Sequence, residues 1–183
     1  MINILNKVFH YTKSSKKIVI QTETTGLYPK DGHKLVEIAA IEIDKNDNQT
    51  GVVFHVYINP EREVPEEVVE IHGLNNEFLQ KYPTFEAYKD SFCHFIKGKE
   101  IIGHNIQFDL KFLNNEIGFE LPNKITDTLE MARNIFPHQK NNLSALGKRL
   151  KVKIKKSPFN GALLDTLYIC EIYKRMKNEK NKI

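Results

Sequence analysis

The chain has 183 residues, of which 40% are hydrophobic and 27% charged, the composition of one ordinary soluble globular domain. No apolar run approaches the ~20 residues that a membrane helix needs, and the N-terminus lacks the leader and cleavage site of a secretory signal, so a cytoplasmic protein is expected. The net charge of +4 hides a basic C-terminal quarter, where residues 140–183 carry 12 Lys/Arg against 3 Asp/Glu. Such a flank suits a protein that holds a polyanion, unless it consists only of solvated helix faces.

The first third of the chain predicts a sheet. Residues 16–22 are predicted as a buried strand that ends in a turn at residues 24–26. Two β-branched and aliphatic runs, residues 34–44 and 51–60, flank a cluster of turn residues. This arrangement predicts a β-hairpin.

The rest of the chain alternates short strands with helices. A short helix, PEEVVEIHG, precedes a longer helix over residues 84–98, which is predicted to begin at a Thr84 cap. The later elements, in order, are a strand in EIIGHN, a helix in IQFDLKFLNNEIG, a strand and a helix in KITDTLEMARNIF, and helices in NLSALGKRL and GALLDTLYICEIYKRM. A hairpin followed by βα units predicts an α/β fold with a mixed sheet. The expected domain spans residues 16–176, between an N-terminal extension (1–15) and a basic tail (177–183).

The two cysteines, Cys93 and Cys170, fall in helical patterns rich in aromatic and aliphatic residues. Packed, reduced thiols are therefore expected, as is usual inside cells. Their spacing matches no zinc motif.

The stretch VIQTETTGL contains the first candidates for chemistry. Gln21 and Glu23 are two residues apart, so they lie on the same side of an extended strand. Two carboxylates at this spacing would hold a metal ion, but here one of the pair is an amide. Asp109 and Asp165 are further candidates, because each lies in an apolar segment where a buried charge is costly unless a metal or partner compensates it. Taken singly, an Asp in an apolar helix is more often a surface residue or a helix cap.

The order of several motifs resembles one known family. These motifs are VIQTETTGL, GHKLVEIAAIEI, FHVYINPER, IHGLNNEFL, PTFEAY, GHNIQFDLKFL, TDTLEMAR with FP, and NGALLDTLYICEIY. Over about residues 16–176 the chain is similar to the exonuclease domains of epsilon proofreading subunits of bacterial DNA polymerase III, in the DEDDh branch of 3′→5′ exonucleases. The resemblance implies a ribonuclease-H-like mixed sheet flanked by helices, and hydrolysis of the 3′-terminal phosphodiester.

The resemblance also implies two Mg²⁺ or Mn²⁺ ions, which activate a water and neutralise charge on the phosphate. Its metal positions correspond to Gln21, Glu23, Asp109 and Asp165. The family has an Asp at the first of these positions, where the carboxylate bridges both metals. Because Gln21 is neutral, binding of the second metal ion is expected to be weaker. The stretch is thus interpreted as an altered metal site.

The general base of the family is a His five residues before the last Asp, and Asn160 occupies that position here. A His with a pKa near ~6.5 accepts a proton at neutral pH, whereas Asn160 has no titratable nitrogen. The related DEDDy branch has a Tyr one residue later, where this chain has Gly161. His104 and His138 are expected to be structural or exposed rather than replacement bases.

Residues at four further positions match those that hold the 3′-terminal nucleotide in the family: Thr24, Thr25, Glu67 and His72. Without the resemblance, Glu67 would be a favourable helix N-terminal carboxylate and His72 a packed residue before a glycine. The implied partners are a single-stranded DNA 3′ end, with RNA possible instead, and a polymerase. The chain stops soon after its last helix, so the usual C-terminal tether to the polymerase is expected to be absent.

Several interpretations of the function follow. The chain is a working exonuclease that tolerates Gln21 and Asn160, a silent relative that binds a nucleic-acid 3′ end or a protein, or a relative that trims RNA ends. Two more interpretations are that both positions were engineered, and that the chain is an α/β domain with no role in nucleic-acid chemistry. Loss of a general base and of a bridging charge predicts hydrolysis at least ~10³-fold slower than in an intact homologue.

Overall fold

The computed structural model describes residues 16–153 and 161–180, and its centre is a five-stranded sheet in the order β3-β2-β1-β4-β5. The first three strands pair antiparallel, whereas β1–β4 and β4–β5 pair parallel, so the sheet is mixed as predicted. The strands are β1 (Lys17–Thr24), β2 (Leu35–Ile43), β3 (Gln49–Tyr57), β4 (Glu100–Gly103) and β5 (Ile125–Asp127).

Seven α-helices flank the sheet within the described ranges. They are α1 (Glu66–His72), α2 (Asn76–Leu79), α3 (Lys89–Ile96), α4 (Gln107–Ile117), α5 (Thr128–Ile135), α6 (Leu143–Arg149) and α7 (Ala162–Lys180). Short 3₁₀ turns cover Pro29–Asp31 and Phe85–Ala87.

Both faces of the sheet are covered, which explains why β2 is buried at every position. Ile18 and Ile20 point into a cluster that contains Phe112 of α4. Val19, between them, points to the opposite face and packs in a cluster with Ile169 of α7. The continuous apolar run in β1 is thus typical of a strand that is buried on two sides.

The predicted helix over residues 84–98 is divided in two. A 3₁₀ turn precedes α3, and the Thr84 side chain makes no capping hydrogen bond. The tighter turn accompanies the burial of Phe85 against Phe92, whose ring centroids are 6.4 Å apart. Helical spacing of the aromatic residues therefore located the segment correctly but not its internal break.

Two further features differ from the prediction, one helix end and one additional helix. The last helix continues past Met176 to Lys180, so the predicted basic tail begins within a helix. Helix α2 was not predicted, although Asn75 is a good cap and its side chain accepts a hydrogen bond from the Phe78 N–H at 2.9 Å. The predicted extension, residues 1–15, and the end of the tail lie outside the described residues.

Cys93 and Cys170 are both free thiols, as predicted. Burial raises the pKa of each, to about 12 for Cys170. In the part of the chain that the structure describes, no helix has both the length and the apolar character to cross a bilayer.

Candidate active site

Gln21 and Glu23 lie on the face of β1 that α7 covers. Side chains alternate along a strand, and Val19 packs on this face with Ile169 of α7. Residues 21 and 23 follow at intervals of two and share the same face. The two side chains therefore lie on one side of the strand, as their spacing predicts.

Helix α7 brings Asp165 to the same place. The Thr166 hydroxyl donates a hydrogen bond of 3.3 Å to the Ala39 carbonyl, and Ala39 pairs with Gln21 between β2 and β1. Asp165 directly precedes Thr166. Its carboxylate consequently lies close enough to Glu23 to raise the pKa of that residue.

Asp109 enters the site from α4 and is completely buried. Its Oδ1 accepts two hydrogen bonds from Thr22, from the backbone N–H at 2.8 Å and from the hydroxyl at 2.7 Å. Its Oδ2 has no hydrogen-bond partner among the described residues, and neither has Oε1 of Gln21. Two buried oxygen acceptors near Thr22 are thus unpaired among the described residues, and unpaired buried oxygens of this kind are the ligands that a hard cation takes.

The carboxylates shift one another's pKa values. Burial, with the charges of Glu37, Asp165 and Asp109, raises the pKa of Glu23 to about 8. Burial also raises the pKa of Asp109 to about 7, although the hydrogen bonds from Thr22 oppose it. The pKa of Asp165 is raised by burial and by Glu37. The cluster therefore retains protons near neutral pH unless a cation balances its charge.

The donor set fits a hard divalent cation such as Mg²⁺ or Mn²⁺, which prefers carboxylate and amide oxygens. Two of these oxygens, on Gln21 and Asp109, lack other partners within the described ranges. As placed in residues 16–153 and 161–180, no group of three or more His, Cys, Asp or Glu side chains could hold a metal ion. Gln21 adds an oxygen without a charge, so the site balances less positive charge than a set of four carboxylates would.

Glu37 is a further carboxylate at the site, and the sequence reasoning did not select it. It lies opposite Glu23 in the pairing of β2 with β1, and it is 2% exposed. Its Oε1 lies 2.7 Å from Nε2 of His55, and its Oε2 accepts a hydrogen bond from the Ala162 N–H at 3.0 Å. A lone Glu within an apolar strand was the available signal, but the same strand also contains Glu42, which pairs with lysines instead.

The turn after β1 is firmly held. The Thr24 hydroxyl donates to the Gly26 carbonyl at 2.6 Å, and the Thr25 hydroxyl accepts from the Lys34 N–H at 3.0 Å. The ring of His33 covers Gly26 so closely that a Cβ at this position would lie 2.3 Å from it. The turn that the resemblance assigns to the terminal nucleotide is consequently a rigid element.

Glu67 and His72 lie at opposite ends of α1. Glu67 is exposed in the first turn. His72 is 4% exposed, and its Nδ1 accepts a hydrogen bond from the Leu74 N–H at 3.0 Å. Burial lowers the pKa of His72, against opposing effects of the Thr24 backbone and of Glu37. His72 is therefore near both the turn and the carboxylates, whereas Glu67 faces solvent.

None of the residues considered for the general base is found among the carboxylates in the part of the chain that the structure describes. Asn160 lies outside the described residues, immediately before Gly161. His104 is half-buried, its Nδ1 lies 3.0 Å from the Thr128 hydroxyl, and burial lowers its pKa. His138 is exposed. Both histidines have the structural or exposed character that was expected of them.

Known sequences align with most of the chain. The exonuclease family model matches residues 18–173. DNA polymerase III subunit epsilon of Rickettsia conorii is 47% identical over 169 residues, which cover 87% of this chain and 73% of that protein. The epsilon subunit of Salmonella typhimurium is 38% identical over 177 residues, which cover 90% of this chain and 72% of that protein.

Solved structures share the fold at lower identity. Exonuclease X in complex with 5′ overhanging duplex DNA has a TM-score of 0.74 and 23% identity, covering 90% of this chain and 92% of that one. Exonuclease I has a TM-score of 0.78 and 18% identity, covering 92% of this chain and 42% of that one. These similarities support a ribonuclease-H-like sheet with flanking helices.

Proposed function

We propose that the chain binds the 3′ end of single-stranded DNA at its carboxylate cluster. The chain belongs to the exonuclease family that includes the DNA polymerase III epsilon subunits. We further propose that its 3′→5′ hydrolysis is severely slowed. The observation that supports the proposal is that Asp165 of α7 and Asp109 of α4 lie close enough to Glu23 of β1 to raise its pKa, with unpaired oxygens on Gln21 and Asp109.

Glu23, Asp109 and Asp165 would hold Mg²⁺ or Mn²⁺ through charged oxygens, and Gln21 through a neutral one. When bound, two such ions activate a water and neutralise charge that develops on the phosphate. The amide of Gln21 cannot replace the negative charge that a bridging carboxylate would place between two cations. This chain's residues therefore support one cation better than two.

The second deficit concerns the proton of the attacking water. Asn160 stands where the family has its general base, and an amide does not accept a proton near neutral pH. Losing a general base costs about 10²–10⁴-fold in rate, and the two deficits act on one catalytic unit, so they need not multiply. A rate at least ~10³-fold below that of an intact homologue is the expected result.

A catalytically silent binding module is the second candidate function. The specific observation in its favour is that the rigid Thr24–Gly26 turn and buried His72 are retained beside a cluster with a neutral residue at its first position. An RNA 3′ end is the alternative substrate. The names of the relatives also make another subunit of a DNA polymerase a candidate partner. We further propose a cytoplasmic location.

Single-turnover degradation of a 5′-labelled single-stranded DNA with Mn²⁺ tests the proposal. The parent protein is compared with the double variant Gln21→Asp/Asn160→His, on DNA and on an RNA of the same sequence. We expect slow or undetectable shortening by the parent protein and stepwise shortening by the double variant. Rapid shortening by the parent would contradict the proposed deficit.

Binding separates the remaining outcomes of this experiment. If the double variant is inert but the parent protein binds a strand with a free 3′-hydroxyl, the chain is a binding module. If neither protein cleaves and neither prefers a free 3′-hydroxyl over a blocked 3′ end, the proposed 3′-end function is wrong. The variant Asp165→Asn in the double-variant background is the matched negative control, because it removes a charged oxygen with little change in shape.

A further inference from the structure

Glu37 accepts a hydrogen bond from the first residue of the helix that carries Asp165. Its Oε2 accepts the Ala162 N–H at 3.0 Å, and Ala162 begins α7. The first N–H groups of a helix have no partner within the helix, so they need acceptors from elsewhere. Here the acceptor comes from β2, 125 positions away in the sequence. The contact therefore joins the start of α7 to the centre of the sheet.

The other carboxylate oxygen of Glu37 is also engaged. Oε1 lies 2.7 Å from Nε2 of His55 on β3, the strand next to β2. The Glu37 side chain is 3% exposed. A buried carboxylate with partners on both oxygens is held in one orientation, because turning it would leave a donor unpaired. The sheet thus sets the position of the acceptor for α7.

Gly161 leaves the space that this contact requires. A Cβ at Gly161 would lie 2.8 Å from Oε2 of Glu37 and 3.4 Å from Oε1. Gly161 also contacts Asp165 directly, because its carbonyl accepts a hydrogen bond from the Asp165 N–H at 3.2 Å. The turn from Gly161 to Asp165 is therefore located by the approach of Glu37.

We propose that Glu37, oriented by His55, is a positioning residue that sets the place of Asp165 in the cation site. This inference rests on the proposed function for the identity of that site. Glu37 is not a candidate ligand, because both of its oxygens already have partners. Its effect on cation binding passes through the start of α7.

Mn²⁺ binding, followed by the electron paramagnetic resonance signal of the free ion, distinguishes positioning from charge. Glu37→Gln removes the charge but keeps an oxygen that accepts the Ala162 N–H, so affinity should stay within about threefold of the parent protein. Glu37→Leu removes the acceptor and should weaken binding about tenfold or more, as is usual when a group that orients a ligand is lost. Equal losses in the two variants would mean that charge alone matters and would overturn the proposal.

Amide hydrogen exchange provides a readout that needs no cation. In Glu37→Leu, the amides of residues 162–166 should exchange about tenfold faster than in the parent protein, while those of residues 170–176 stay unchanged. Unchanged protection of the first turn of α7 would overturn the proposal. If Glu37→Leu exchanges faster but the parent protein binds no Mn²⁺, the cation site is wrong, and so is the proposed function.

Glu42 provides a matched control, because it is a second buried Glu on the same strand. Its carboxylate pairs with Lys16 and Lys99 rather than with α7. Glu42→Leu should lower stability, but the exchange of residues 162–166 should match that of the parent protein. A loss of protection there as large as in Glu37→Leu would indicate general loosening and contradict a specific role of Glu37.

Gly161→Ala tests the same contact from the other side. The added Cβ should displace the Glu37 carboxylate and weaken Mn²⁺ binding about tenfold in the parent background, comparable with removal of the acceptor. In the Glu37→Ala background the same change should add little, because residues that act through one contact are not additive. Additive losses would contradict a shared role of Gly161 and Glu37.

Discussion

Thr22 and Asp109 are joined by two hydrogen bonds that end on the same carboxylate oxygen, at 2.8 and 2.7 Å. Thr22 lies between Gln21 and Glu23, and its side chain points to the opposite face of the sheet. Asp109 is thereby fixed with Oδ1 satisfied and Oδ2 unpaired. One threonine therefore fixes the Asp109 carboxylate against β1, the strand that carries two of the other three candidate ligands.

Thr22→Val is expected to lower the free energy of unfolding by about 1–3 kcal/mol, because the buried Asp109 carboxylate loses its hydroxyl donor. The backbone donor remains, so the fold should persist. Urea denaturation in the presence of a chelator measures the change. Thr50→Val is the matched control, since Thr50 also donates to a Glu carboxylate but is exposed, and it should cost less than about 0.5 kcal/mol. Equal costs at the two positions would contradict the prediction.

Raising the pH is expected to destabilise the protein when a chelator is present. The pKa of Glu23 is raised from 4.5 to about 8, and that of Asp109 from 3.8 to about 7. At a pH between the ordinary and the raised pKa of each residue, the folded protein keeps a proton that the unfolded chain has released. The free energy of unfolding therefore falls as the pH rises. Lowered pKa values of His72 and His104 act in the opposite sense below 6.5, so the fall should be steepest above that value.

Thermal denaturation between about pH 5 and pH 8 measures this dependence, whose expected size is on the order of a few kcal/mol. Millimolar Mg²⁺ should restore stability at the upper end, since a ligand that binds only the folded state stabilises it. Glu23→Gln should flatten the curve in chelator. A protein that grows more stable from pH 5 to pH 8 without cations would contradict the pKa assignments.

The sequence predicted the local parts of this site better than the contacts between them. The interval between Gln21 and Glu23 was sufficient to place both side chains on one side of a strand. The family motifs identified Asp109 and Asp165, whose residue types alone were ambiguous. These features depend on short-range periodicity and on motif spacing, and both can be read along the chain.

Glu37 was missed for a physical reason. It looked like one polar residue in an apolar strand, and its role depends on Ala162, 125 positions away. The bond between Thr22 and Asp109 spans 87 positions and was not foreseen either. Such pairs are set by how helices pack on the sheet, which local patterns do not specify. The 3₁₀ break before α3 likewise depends on the burial of Phe85.

Gly26→Ala is expected to weaken binding of a DNA 3′ end about tenfold, equivalent to ~1.4 kcal/mol. A Cβ at Gly26 would lie 2.3 Å from the His33 ring, so either the ring or the turn must move. Fluorescence anisotropy of a 5′-labelled strand with a free 3′-hydroxyl measures the affinity, and the same strand with a 3′-phosphate reports binding that ignores the end.

His33→Ala combined with Gly26→Ala is the informative control for the turn. Removing the ring makes room for the new methyl group, so affinity should recover relative to Gly26→Ala alone. A double variant that binds as weakly as the single one would mean that Gly26 acts through its own backbone. Equal losses for free and blocked 3′ ends would mean that the turn does not contact the terminal nucleotide.

Gln21→Asp is expected to change cation binding from one strong site to two. Its carboxylate would supply the negative charge that the amide of Gln21 lacks, beside Glu23 and the buried Asp109. The same change should destabilise the protein in chelator above about pH 7, because a further buried acid repels its neighbours. In Mn²⁺ the order of stability should reverse, since the bound ions stabilise the variant more than the parent protein.

Isothermal titration with Mn²⁺ gives the stoichiometry, and thermal denaturation with and without the ion gives the reversal. Gln21→Asn is the matched control, because it shortens the side chain by about as much as Asp does but adds no charge. It should bind no second ion and should show no reversal of stability. If Gln21→Asp and Gln21→Asn behave alike, charge at position 21 does not limit the second cation. The proposed loss of hydrolysis rate would then have to come from Asn160 alone.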